Sequence, residues 1–190
     1  MIELDELKEI VKDKLSEKRY IHSEGVVKRA LEYAKIYNVD EKIIMYTAIA
    51  HDIAKELTKE ENEEYIKKYN IELDEIEKNN NNLLHQKIGA QICKYEFGFT
   101  EDMVNAVRYH TTGRPNMSLL EKIIYLADAT EENKKYCSEH YVETIKSDID
   151  QGLIEISKWV INYLLETNII IHPDTIDCYN YYVMNKSKQI

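Results

Sequence analysis

Among the histidines and acids of this 190-residue chain, six stand out as candidate metal ligands: His22, His51, Asp52, His85, His110 and Asp128. A lone histidine is usually a hydrogen-bonded core or surface residue, so the surroundings decide. His51 and Asp52 are adjacent and close the mostly apolar run Thr47-Ala48-Ile49-Ala50. Burying two such groups is costly unless something compensates them. A divalent ion does so, because neutral imidazole nitrogen and carboxylate oxygen both ligate it directly. Asp128 repeats the oddity inside Ile123-Ile124-Tyr125-Leu126-Ala127-Asp128-Ala129, although alone it could simply face solvent. His85 follows Leu83-Leu84, and His110 ends the stretch Met103 to Tyr109. Four imidazoles and two carboxylates are the ligand inventory for two metals, with a carboxylate able to bridge.

Other residues suit phosphate. Lys55 follows His51 by four positions and Asp52 by three, so all three can share one helix face. Its ammonium could neutralise phosphates or protonate a leaving oxygen; equally, on spacing alone, it could pair in solvent with Glu56 or Glu60. Thr111, Thr112, Gly113 and Arg114 offer hydroxyls, backbone donors and a guanidinium fork that matches phosphate oxygens, or an ordinary turn with a surface arginine. His172 either lines a pocket or merely precedes a helix, and His140 reads as a surface residue.

Helices must position these groups, because the apolar pattern is helical nearly throughout. Leu4, Leu7, Val11 and Leu15 mark one face of a first helix, and Val26, Ala30, Ala34 and Tyr37 a second over about 22–37. Asp40 is an expected N-cap for the helix that ends at His51-Asp52. Thr58 is expected to cap a charged helix that ends near Asn70. Asn79 to Asn82 predicts a loop, followed by helices over about 83–96 and 101–110 with Gly98 relieving the turn between them. Ser118 and Glu121 have capping-box spacing for a helix to about 129. One long helix is expected over 139–166, and Pro173 opens a last one over 174–184. The reading is an all-α bundle of more than four helices.

Composition narrows the function. Gly 5 and Pro 2 disfavour a turn-rich β-fold. The formal net charge of -10 repels a phosphate backbone over most of the surface, so stable binding to a nucleic-acid polymer is not expected. The surplus is local: Glu56 to Glu77 holds nine acids and three lysines, whereas Val104 to Lys122 holds Arg108, Arg114 and Lys122 against Glu121. An anionic small molecule could still find a positive site. Cys93, Cys137 and Cys178 lack Cys-x-x-Cys spacing, and Met1 to Glu6 is acidic rather than a basic leader. With no apolar run near the ~18–20 residues of a membrane span, the expected setting is the cytoplasm with reduced thiols.

The order His22, His51-Asp52, His85, His110, Asp128 resembles the dinuclear branch of the HD-domain phosphohydrolases. The run from Tyr109-His110-Thr111-Thr112-Gly113-Arg114-Pro115 to Leu126-Ala127-Asp128 is similar to that of the YqeK family, symmetrical bis(5'-nucleosyl)-tetraphosphatases. Further matching strings are Arg19-Tyr20-Ile21-His22-Ser23-Glu24-Gly25-Val26, His51-Asp52-Ile53-Ala54-Lys55-Glu56-Leu57, Leu84-His85 and His172-Pro173-Asp174-Thr175-Ile176. After Asp128 that family often continues with an acid and an arginine directed at the nucleotide; this chain reads Ala129-Thr130-Glu131-Glu132-Asn133-Lys134.

The resemblance implies one HD-type helical domain over 1–190, with a core over about 18–130 and C-terminal helices 139–184 packed on it. It implies that His22, His51, Asp52 and Asp128 hold one ion and that Asp52 bridges to a second held by His85 and His110. The expected metal is iron, although manganese, zinc or cobalt suit the same ligands. Diadenosine tetraphosphate would be cleaved into two ADP by a metal-bridging hydroxide, with Asp52 and Lys55 as catalytic groups. Nucleotide and phosphate contacts fall on His22, Lys55, Glu56, Thr111, Thr112, Arg114 and His172. The partner implied is a small dinucleoside polyphosphate, without membrane, and a homodimer is a possible assembly. Alternatives are an HD phosphohydrolase of a mononucleotide or alarmone, and a non-catalytic HD signalling domain; the latter typically lose ligands, and here six are retained.

Overall fold

The computed structural model describes residues 1–134 and 138–188. Among these there are ten α-helices and no strand: α1 (Leu4–Lys14), α2 (Glu17–Tyr37), α3 (Glu41–Ala50), α4 (Lys59–Tyr69), α5 (Asn81–Tyr95), α6 (Glu101–Arg108), α7 (Leu119–Thr130), α8 (Glu139–Ser147), α9 (Ile149–Glu166) and α10 (Pro173–Ser187), with a 3-10 turn at Glu77–Asn79. Cys137 lies outside the described residues.

The start signals act as expected. Asp40 accepts from the Lys42 N–H at 2.8 Å, and Thr58 with Glu61 and Ser118 with Glu121 form capping boxes for α4 and α7. Gly98 turns the chain at φ 70°, with Phe99 N–H reaching Cys93 O at 3.0 Å. α2 begins earlier than its apolar periodicity indicates, because Ser16 caps it by accepting from the Arg19 N–H.

Two expectations are corrected. The asparagine run is not a four-residue loop: the Asn80 side chain accepts from the Asn82 N–H at 3.0 Å, so it starts α5 at Asn81. The expected helix over 139–166 is two helices. Asp148 takes extended backbone (φ -156°, ψ 102°), ends α8 and caps α9 by accepting from the Gln151 N–H at 2.9 Å. Gly152 then lets α9 pass directly over Ile145.

The buried apolar cluster runs from Leu7 on α1 to Tyr182 on α10. α2 packs along α3 and α7, α5 along α6, and α9 against α8 and α10. Trp159 on α9, the chain's one tryptophan, stacks on Tyr163 with ring centroids 5.8 Å apart. No described helix is long and apolar enough to cross a membrane.

Candidate metal centre

Five neighbouring segments deliver the six groups. α2 carries His22 in its second turn, the turn that follows α3 carries His51 and Asp52, α5 presents His85, the turn after α6 presents His110, and α7 carries Asp128 in its last turn. His51, Asp52, His85 and His110 are each no more than 3% exposed.

Asp52 divides its carboxylate. Oδ1 lies 3.1 Å from His85 Nε2 and 3.5 Å from His110 Nε2. Oδ2 lies 3.7 Å from His22 Nε2 and 3.6 Å from His51 Nε2. Asp128 Oδ1 closes the second group at 3.0 Å from His22 Nε2 and 3.9 Å from His51 Nε2. His22, His51 and Asp128 thus form one convergent set, and His51, Asp52 and His110 another.

The outer ring nitrogens fix what the inner ones can do. His51 Nδ1 is 2.7 Å from Ala48 O, and His110 Nδ1 is 2.7 Å from Val107 O. A carbonyl only accepts, so both Nδ1 atoms carry the hydrogen and both Nε2 atoms turn lone pairs inward. The His51 lone pair faces carboxylate oxygens, acceptor against acceptor, whereas that of His110 also meets His85 Nε2 at 3.0 Å. The Nε2 atoms of His22 and His51 are buried without a hydrogen-bond partner. Such an arrangement is unfavourable as it stands and favourable around a cation, so the donor set fits divalent ions.

Charge follows the same logic. Burial pushes the imidazoles of His51 and His85 down to about 4, so both are in the neutral, ligating form at neutral pH. Burial opposes ionisation of Asp52, but the surrounding imidazoles of His51, His110 and His85 outweigh it and hold the carboxyl well below its usual range. Burial is likewise overcome at Asp128 by Lys134 and His22. Lys55 is lowered by burial, against the pull of Asp52 and Asp128.

The other expected residues part company. Lys55 Nζ sits 3.5 Å from His85 Nδ1, inside the site. Thr111 Oγ1 is 3.5 Å from His85 Nε2, and its N–H donates to Gln86 Oε1 at 3.1 Å. Thr112 is buried and accepts from Gln86 Nε2 at 3.4 Å. Glu56 accepts from the Ser16 N–H and hydroxyl at 2.6 and 2.8 Å and lines a cleft of about 570 Å³ that also reaches Arg19, His22 and Glu131. Arg114 is committed elsewhere: Nε and Nη2 donate to the buried Glu121 at 2.7 Å each, and the guanidinium covers the Tyr109 ring. His172 caps α10 and lies 2.8 Å from Asp74 Oδ2. His140 is exposed and pairs with Glu155 at 3.1 Å.

Three residues of the centre carried no assignment from the sequence. Arg19 donates to Asp52 Oδ2 at 3.0 Å; its place one helical turn before His22 was the available signal. Glu131 Oε1 lies 3.2 Å from His22 Nδ1, and Lys134 Nζ 3.2 Å from Asp128 Oδ1. The stretch after Asp128 therefore does supply an acid and a base, as glutamate and lysine.

An all-α body holding two histidine–aspartate sets is the architecture of the HD superfamily, and the HD domain matches residues 19–133. The chain belongs to the HD-domain family and, within it, to the YqeK-like group. It is 40% identical over 174 residues to the symmetrical bis(5'-nucleosyl)-tetraphosphatase of Halalkalibacterium halodurans, covering 90% of this chain and 92% of that protein. It is 38% identical to the protein of the same name from Bacillus subtilis, over 91% and 94% of the two chains. It superposes with a TM-score of 0.91 and 34% identity on the crystal structure of a predicted HD superfamily hydrolase involved in NAD metabolism from Clostridium acetobutylicum, covering 97% of this chain and 99% of that one.

Proposed function

We propose that the protein is a dinuclear-metal hydrolase that splits diadenosine tetraphosphate symmetrically into two ADP. The observation that carries this reading is the division of Asp52, one oxygen toward His85 and His110 and the other toward His22 and His51. His22, His51, Asp52 and Asp128 would hold one ion, and Asp52, His85 and His110 the second. Iron is the proposed metal, with manganese, zinc and cobalt compatible with the ligand types. When bound, a pair of divalent ions supplies Lewis acidity and an activated water for attack on phosphorus.

The chain's own side chains do the rest. Arg19 is held beside the bridging carboxylate at the mouth of the 570 Å³ cleft, placed to meet phosphate oxygens on the His22 side. Lys55, half-buried beside His85, meets the charge that develops on the leaving phosphate and holds the proton that phosphate can take. Thr111 offers its hydroxyl on the same side. All six ligands come from one chain, so a homodimer is not needed to complete the site. Buried free thiols at Cys93 and Cys178 accord with a cytoplasmic setting.

Chromatography of products after incubation with diadenosine tetraphosphate and ferrous iron tests the proposal. ADP as the sole nucleotide product is expected. AMP with ATP would overturn symmetrical cleavage, and no turnover with any of the four metals would overturn the hydrolase reading.

A further inference from the structure

His22 differs from the other three imidazoles in what stands behind it. His51 and His110 give their outer N–H to main-chain carbonyls. Behind His85 lies the Lys55 ammonium at 3.5 Å. Behind His22 lies a carboxylate, Glu131 Oε1, at 3.2 Å.

Glu131 is 2% exposed, three residues past Asp128 at the end of α7. Its other oxygen accepts from the Asn133 N–H at 2.8 Å and the Asn133 amide at 3.0 Å. Room for it is made by Gly25, one turn after His22 on α2: a Cβ there would come within 2.6 Å of Glu131 Oε2 and 3.3 Å of the Asn133 amide nitrogen. Glycine is unfavourable in a helix interior relative to alanine, so α2 gives up stability at the one place where the carboxylate passes.

We infer that Glu131 is the positioning residue of the His22 side of the centre, and that it makes the two metal subsites unequal. It locks the His22 ring with Nδ1–H outward and Nε2 inward, and its negative charge strengthens Nε2 as a donor. The ammonium behind His85 does the opposite. The ion held by His22, His51 and Asp128 is therefore bound more tightly than the ion held by His85 and His110. This rests on the metal-binding reading given above.

The test titrates full-length protein, freed of metal, with cobalt(II) under anaerobic conditions, read by calorimetry and visible absorption. Wild type should take up two ions in separable steps. E131Q, which keeps an acceptor but loses the charge, should weaken the tighter step about 10–100-fold, the usual cost of losing an outer partner of a ligating histidine, and leave the weaker step unchanged. E131A should weaken it further. G25A, which keeps the acid but displaces it and favours the helix, should reproduce the E131Q result even if E131A fails to fold. In the zinc-loaded protein, the His22 side-chain nitrogen shifts should move toward ordinary neutral imidazole in E131Q. Two equal steps in wild type, equal weakening of both steps in the variants, or wild-type binding in E131Q and G25A would overturn the inference while leaving the metal site standing. Wild-type protein that takes up no ion would instead overturn the metal-binding reading itself.

Discussion

Asp52 has no substitute at its position. Its two oxygens face two different imidazole pairs, and Oδ2 also takes the Arg19 guanidinium. Asp52→Asn replaces one acceptor with a donor aimed at imidazole lone pairs, so it should abolish binding of both ions while leaving helicity intact; metal analysis with far-UV circular dichroism checks this. His85→Ala removes a ligand from one set only. It should leave one ion bound and lower turnover by more than about 100-fold, the upper cost of losing a mere outer partner. Two ions bound to that variant would show that His85 is not a ligand.

At the scale of elements, the loop between α6 and α7 is tied down by its own residues. Arg114 holds Glu121, which also caps α7, and Gly113 at φ 67° lets Cys178 of α10 press against the loop. Arg114→Ala leaves a buried carboxylate short of its partner. It should cost about 1–3 kcal/mol, less than the ~3–5 of a fully buried pair because Arg114 is partly exposed. A lower denaturation midpoint with unchanged KM is expected; a raised KM at unchanged stability would mean that the guanidinium serves phosphate instead. Gly152→Ala should also destabilise, by about 1–3 kcal/mol through overpacking, since the new Cβ meets the Ile145 side chain and backbone. Both predictions show what the sequence could and could not express. Helix starts were legible because a cap is a local bond, as at Asp40, Thr58 and Ser118. The break at Asp148 was not, because Asp148 can cap a helix or sit within one, and Gly152 against Ile145 decides between them only in three dimensions. The six metal-type residues were legible from their burial-prone surroundings and order. The pairing of Arg114, His172 and Thr112 with Glu121, Asp74 and Gln86 was not legible, because packing brings those partners to them. Glu131 lay unassigned because His22 stands 109 positions away.

Across the whole molecule, the centre is also a point of cohesion. Segments from α2, α3, α5, α6 and α7 converge there, and in the proposed holoprotein a cation would join the acceptors they bring together. Ions present at 100–1,000 times their dissociation constant would add roughly 3–4 kcal/mol per site. For a chain of this size each kcal/mol moves Tm by about 2–4 °C. Chelation of both ions should therefore lower Tm by about 10–30 °C without changing helicity at 25 °C, as thermal circular dichroism with and without chelator would show. An unmoved Tm would mean that the fold does not depend on the ions.

Trp159 stacks on Tyr163 in α9, a helix that contributes none of the six metal-type side chains. The molecule thus carries a single indole fluorophore on an element separate from its chemistry. Emission excited at the red edge of protein absorbance would follow the melting of the C-terminal helices, while adenine absorbance or coloured metal would report the reaction. The two optical channels could be read in one cuvette without labelling.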